Sequence, residues 1–244
     1  MLVYMNIKIN KEPKLKLPTF SVDNQLDKKL NEYEISSLMN KSNFTLFLGK
    51  AGSGKTSLLV SFLNTPALFK KVYHNIFLFM PPNSRSSLKD SFFDKNLPKE
   101  QIYDDVSYDD LLDVYEIAKD NALENCNTLI IFDDVQKFFK DKDIQKLLLH
   151  MINNRRHARI SIWICAQNYI TIPRMVRQGL TDLFVFKINK TEMENIFLEQ
   201  VEQYKDDFMK IMKSCYTESH NFLYINTNSQ RMFCNWNEIL IEEK

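Results

Sequence analysis

Five short apolar runs punctuate the chain: Phe44–Leu48, Ile76–Met80, Thr128–Phe132, Ile160–Ala166 and Leu183–Phe186. Between them, Lys55–Leu63, Ser86–Phe93, Tyr108–Asn125, Asp143–Asn154 and Pro173–Gln178 carry helix-like patterns. Strands that are apolar along their whole length belong inside a parallel sheet, where crossover helices cover both faces. The alternation predicts an α/β fold with a mainly parallel central sheet flanked by helices on both faces. Ahead of this core, Met1–Ile9 alternates like a short strand. Pro13 and Pro18 then mark a loop, and a polar helix is expected from Asp23 to Met39. Behind it, a charged amphipathic helix runs from Lys190 to about Lys213, followed by two strand-like pieces, Phe222–Ile225 and Arg231–Trp236.

Composition changes this picture little. A chain of 244 residues suits one large domain with a proper core. It holds no apolar run of membrane-spanning length and no signal peptide, so no membrane role is expected. Cys126, Cys165, Cys215 and Cys234 show no metal-ligand spacing, and reduced thiols in a reducing, intracellular setting are expected. With a net charge of +1, any nucleic-acid surface must be local. Of only four glycines, three fall between positions 49 and 54, and the fourth, Gly179, closes a short helical stretch.

Those three glycines carry the most specific chemistry. Gly49-Lys50-Ala51-Gly52-Ser53-Gly54-Lys55-Thr56 comes after an apolar strand and opens a helix beginning Ser57, the context in which this pattern is a phosphate-binding P-loop. Glycine allows the backbone to wrap closely, so that N–H groups face phosphate oxygens, and the helix N-terminus adds partial positive charge. Lys55 is placed to reach the β- and γ-phosphates and the Thr56 hydroxyl to ligate Mg²⁺. The expected ligands are ATP and Mg²⁺. The chain thus divides into a 1–43 strand and helix extension, a 44–190 P-loop core, and a 191–244 extension of the same domain.

A second apolar strand, Thr128–Phe132, ends in Asp133-Asp134, the Walker B arrangement. Asp133 is positioned to hold Mg²⁺ beside Thr56, and Asp134 to polarise the attacking water as general base. A third strand, Ile160–Ala166, ends in Gln167, whose amide can bond both the γ-phosphate and the lytic water. Before it, Arg155, Arg156 and Arg159 form either a solvated basic turn or a source of an arginine finger for a neighbouring subunit. His157 suits a structural role. Arg174 and Arg177, after Pro173, are candidates for DNA phosphates, a subunit interface or plain surface.

Taken in order, Gly49–Thr56, Asp133-Asp134, Arg156-His157, Gln167 and Ile172-Pro173-Arg174 resemble the genome-packaging ATPases of large DNA viruses and virophages. These belong to the FtsK–HerA superfamily of P-loop DNA translocases. The resemblance spans about residues 40 to 190. It implies an ASCE, RecA-like core that hydrolyses ATP and drives double-stranded DNA into a preformed capsid. It further implies a pentameric or hexameric ring with nucleotides at subunit interfaces, a capsid protein partner at a packaging vertex, and residence in the virion or in a viral factory of the host cytoplasm. Carried over by position, Lys55 binds nucleotide, Thr56 and Asp133 hold Mg²⁺, Asp134 is the base, Gln167 the sensor and Arg156 the finger in trans. Cellular superfamily members usually place Glu where this chain has Asp134, whose shorter side chain sits further from the water.

Other classes stay open on sequence alone. A related cellular DNA translocase is the next reading, Asp134 apart. Asn189-Lys190-Thr191-Glu192 nearly matches the guanine-reading Asn-Lys-x-Asp of regulatory GTPases, but Glu192 and the Asp-Asp-Val-Gln run argue against it. A small-molecule kinase gives Gln167 no job. A nucleotide-dependent assembly scaffold would bind and oligomerise without turnover.

Overall fold

A computed structural model describes residues 6–9, 38–66, 68–88, 92–201 and 207–242. Most of the helix expected over 23–39 lies outside these residues. The strands are β1 (Asn6–Ile9), β2 (Phe44–Leu48), β3 (Asn75–Phe79), β4 (Ile102–Tyr103), β5 (Thr128–Asp133), β6 (Ile160–Ala166), β7 (Asp182–Phe186), β8 (Phe222–Asn226), β9 (Arg231–Cys234) and β10 (Asn237–Glu242). The helices are α1 (Lys55–Asn64), α2 (Pro82–Ser86), α3 (Phe92–Asn96), α4 (Tyr108–Leu123), α5 (Lys142–Asn154), α6 (Arg174–Arg177), α7 (Lys190–Gln200) and α8 (Phe208–Cys215).

One sheet runs in the order β1-β10-β9-β8-β7-β2-β6-β5-β3-β4. From β7 to β4 every neighbouring pair is parallel; from β7 to β1 every pair is antiparallel. The central strands β2, β5, β6 and β7 are buried at every position, which is why they read as uninterrupted apolar runs. On one face α4 to α8 supply Leu111, Leu148, Val176, Ile196 and Ile211 to the core. The other face is aromatic. Phe47, Phe184, Tyr224 and Phe233 are neighbours in register on β2, β7, β8 and β9, and their rings stack successively at 5.2, 4.5 and 5.5 Å. Phe62 of α1 meets this ladder edge-on, 5.1 Å from Phe184.

Three local expectations are revised, and one strand, β4, was not expected. The helix expected over 86–93 is replaced by two short ones, α2 and α3, because Pro82 can start a helix but the serines after it favour turns. The helix expected from 190 to 213 is two, α7 and α8. The run 231–236 is not one strand: Asn235 adopts φ +54°, and the chain reverses there into β10, which pairs with β9 and β1. The two-residue β4 is too short to show a period.

Candidate functional site

Because β2, β5 and β6 are adjacent and parallel, their C-terminal ends all open onto the same edge of the sheet. The Gly49–Thr56 loop, Asp133-Asp134 and Gln167 are brought together in this way. The loop is tied to β6 by the Gly49 N–H, which donates to the Ala166 carbonyl at 3.1 Å. Gly52 (φ +73°) and Gly54 (φ +105°) hold left-handed conformations that a side chain would strain. At Gly49 a Cβ would come 2.6 Å from Ser53 Oγ and 2.8 Å from Phe186 Cβ. Lys50, Ala51, Gly52 and Ser57 lie exposed on the outside. Lys55 is buried, its ammonium donating to the carbonyls of Gly49 (2.8 Å) and Lys50 (3.0 Å). Ser53 Oγ is buried without a hydrogen-bond partner among the described residues, an orphan that phosphate chemistry would satisfy.

Thr56 Oγ1 donates to Asp133 Oδ2 at 2.7 Å, joining the two expected metal-binding residues. Burial pushes the Asp133 carboxyl above the usual range; the Thr56 hydrogen bond and the Lys55 charge oppose that rise. One hydroxyl and one buried carboxylate suit a hard cation that takes its remaining oxygens from water and phosphate. A cage of protein ligands is not present: no cluster of three His, Cys, Asp or Glu occurs among the described residues. The site therefore fits Mg²⁺ held together with a nucleotide.

Asp134 is exposed and has φ +58°, a left-handed backbone that is uncommon for Asp. Its Oδ2 accepts a 2.7 Å hydrogen bond from Ser84 Oγ on α2, the helix that comes after the neighbouring strand β3. Pro81–Ser84 comes just after the C-terminal end of β3, on the ligand side of the sheet, but nothing local in the sequence singles out Ser84. A strand-adjacent serine carries no signal of its own until β3 is known to lie beside β5. Gln167 is exposed at the end of β6, with no hydrogen bond to its side chain among the described residues.

The arginines divide. Arg155 Nε donates to the Ser42 carbonyl (3.2 Å) and Arg159 to the Asn125 carbonyl (2.9 Å), so both serve the local fold. Arg156 and His157 are exposed, and the Arg156 side chain forms no hydrogen bond or ion pair among the described residues. Arg156 precedes β6, at the opposite edge of the sheet from the loop, roughly 20 Å away given the rise of a seven-residue strand. It cannot serve its own chain's phosphate site. Arg174 is exposed, but Arg177 corrects the expectation of a surface residue. It is buried, pairs with Glu199 at 2.9 Å, donates to the Tyr169 carbonyl and stacks on the Tyr169 ring at 4.5 Å. Tyr169 N–H in turn donates to Glu192, and its hydroxyl bonds Glu199 and Gln200. This network anchors the segment immediately after Gln167. Asn189 and Glu192 are likewise occupied: Asn189 caps α7 by accepting from the Glu192 N–H, so the near-match to a guanine motif is a helix start.

Comparison with known proteins agrees with this geometry. The fold matches the genome packaging NTPase B204 from Sulfolobus turreted icosahedral virus 2, solved in complex with AMP, at a TM-score of 0.60 and 18% identity. The match covers 80% of this chain and 98% of that one. The complex of the same protein with ATP-gammaS gives 0.60 at 19% identity, over 84% and 98%. B204 from Sulfolobus turreted icosahedral virus, described as the DNA-packaging ATPase, gives 0.59 at 17%, over 84% and 98%. No curated protein sequence matches significantly. Among the described residues no helix is long and apolar enough to cross a membrane. The poxvirus A32 protein family matches residues 30–241, a span that takes in every motif of the site, and the resemblance to viral genome-packaging ATPases is borne out. This chain belongs to the poxvirus A32 protein family.

Proposed function

We propose that this chain is an ATP-hydrolysing motor that packages a viral genome, driving double-stranded DNA into a preformed capsid. The observation that carries the reading is the convergence, at one sheet edge, of the Gly49–Thr56 loop, the Thr56–Asp133 pair, Asp134 and Gln167. The family match and the shared fold with B204 set that edge in the context of packaging.

In this mechanism the loop N–H groups and Lys55 bind the triphosphate, and Ser53 Oγ finds its partner there. Thr56 and Asp133 would hold Mg²⁺, which would neutralise charge on the β- and γ-phosphates. Asp134 accepts a proton from the water as its oxygen bonds the γ-phosphorus; the bond to the β-phosphate oxygen breaks, and ADP leaves with that electron pair. Ser84 orients Asp134 while the γ-phosphate side of the site is read by Gln167. The Tyr169–Arg177–Glu199 network carries a displacement of Gln167 into α6 and α7. Arg156 completes the site of the next subunit in a pentameric or hexameric ring, which makes turnover depend on assembly. Double-stranded DNA and a capsid vertex protein are the partners, in the virion or in a viral factory of the host cytoplasm. The test is steady-state ATP hydrolysis by the assembled protein with and without double-stranded DNA: stimulation by DNA supports the motor, and indifference to DNA in the presence of capsids contradicts it.

A further inference from the structure

The catalytic roles leave the outer wall of the phosphate loop unused. That wall comes from the C-terminal part of the chain. A Cβ at Gly54 would lie 3.3 Å from the Phe186 ring and 3.6 Å from His220 Nδ1. His220 sits in the turn between α8 and β8, and its Nδ1 lies 3.1 Å from the Ser53 carbonyl oxygen. A carbonyl can only accept, so Nδ1 carries the proton in this contact.

His220 is held there at a cost. Its φ is +65°, a left-handed conformation in which Cβ crowds the following carbonyl oxygen. The turn around it is over-determined. Asn221 Nδ2 donates to the Cys215 carbonyl at 2.8 Å, and Asn235 Nδ2 donates to Asn221 Oδ1 at 3.0 Å. Phe222 and Asn235 exchange two further bonds, at 3.0 and 2.8 Å. Strain of this kind persists only where the surroundings fix it, and it collects at functional sites.

In a trans peptide the carbonyl and the following N–H point to opposite sides. With the Ser53 carbonyl drawn out toward His220, the Gly54 N–H is turned the other way, into the loop. We propose that His220 is a positioning residue for the triphosphate: by fixing the Ser53–Gly54 peptide it presets the phosphate-binding face of the loop, so the α8–β8 turn bears directly on nucleotide affinity. This rests on the reading of Gly49–Thr56 as the nucleotide site.

Three substitutions separate the hydrogen bond from the backbone. His220→Gly removes the imidazole and relieves the strained φ. His220→Asn tolerates the left-handed backbone and can offer an N–H near the position of Nδ1. His220→Asp matches Asn in shape but cannot donate. Titration with a fluorescent ATP analogue, steady-state kinetics and a thermal melt of each full-length variant give the readouts. The expectation is that His220→Gly weakens binding by about three- to tenfold, the worth of one exposed hydrogen bond. It should raise KM while leaving kcat and the melt essentially unchanged. His220→Asn should recover most of the affinity, and His220→Asp none of it. Native affinity in His220→Gly, or equal affinities in the Asn and Asp variants, would overturn the proposal. Lys55→Ala is the control. If it binds the analogue normally, the nucleotide reading itself fails; if it loses binding while His220→Gly keeps it, only the role of His220 is lost.

Discussion

Both edges of the central sheet gather polar residues, and the two use them differently. At the edge where β6 and β7 begin, Asn43, Tyr73, Ser161, Asp182, Tyr224 and Asn226 are buried and bond one another. Tyr73 donates to Ser161, Trp163 to Asn43, and Tyr224 and Asn226 to Asp182 at 2.7 and 3.1 Å. At the edge where those strands end, Ser53 Oγ has no partner, Gln167 projects unpaired, Asp134 is strained, and Thr56 and Asp133 point at each other. A closed network specifies a fold, whereas polar groups gathered and left partly unmatched are ready for a ligand. On this view the first edge is structural and the second catalytic. Two residues on the first edge depart from this contrast: the Thr128 hydroxyl is buried without a partner among the described residues, and the Arg156 side chain is exposed and unpaired, as its proposed role toward a neighbour requires.

Replacing Arg156 breaks the contrast most severely. Arg156→Ala should bind ATP normally and lose turnover by roughly 10³–10⁵-fold in assembled rings. Single-turnover hydrolysis checks this, and near-native rates would return Arg156 to the solvated surface. Asp134→Asn should retain nucleotide and Mg²⁺ binding but lose roughly 10²–10⁴-fold in kcat.

Asp182 tests the structural edge. Burial lifts its carboxyl to about 6 in spite of the hydrogen bonds from Tyr224, Thr181 and Asn226. The folded chain therefore holds that proton more tightly than the unfolded chain. The resulting stabilisation is full below the ordinary carboxylate value and is lost as pH rises through about 6. The stability of Asp182→Asn relative to the native chain should accordingly improve by on the order of 3 kcal/mol between about pH 4 and 7. Denaturant titrations at the two pH values would show it, and ATP turnover should stay unchanged. The smallest effect belongs to Ser84→Ala, expected to lower kcat by about tenfold through a loosened Asp134, with KM unaltered.

Much of the catalytic edge was legible in the sequence because its parts are local. A P-loop needs its glycines and lysine within eight consecutive positions, and Asp133 and Gln167 end strands whose apolar runs are unmistakable. What escaped notice depends on pairing across distance. Ser84 reaches Asp134 only because β3 lies beside β5, and His220 reaches Ser53 across 167 positions. Arg177 reads as a surface arginine because nothing near it in sequence announces Glu199 as its partner. The β9–β10 hairpin was hidden by an apolar run that continues through the turn at Asn235.

The most direct test of the central claim is steady-state ATP hydrolysis at low salt, with and without double-stranded DNA, using Lys55→Ala as the blank. Low salt matters because contacts to the phosphate backbone weaken steeply as salt rises. The account predicts Mg²⁺-dependent turnover that DNA stimulates and that the Lys55 variant lacks. Turnover that survives in Lys55→Ala, or nucleotide binding with no hydrolysis in an assembled ring on DNA, would contradict it.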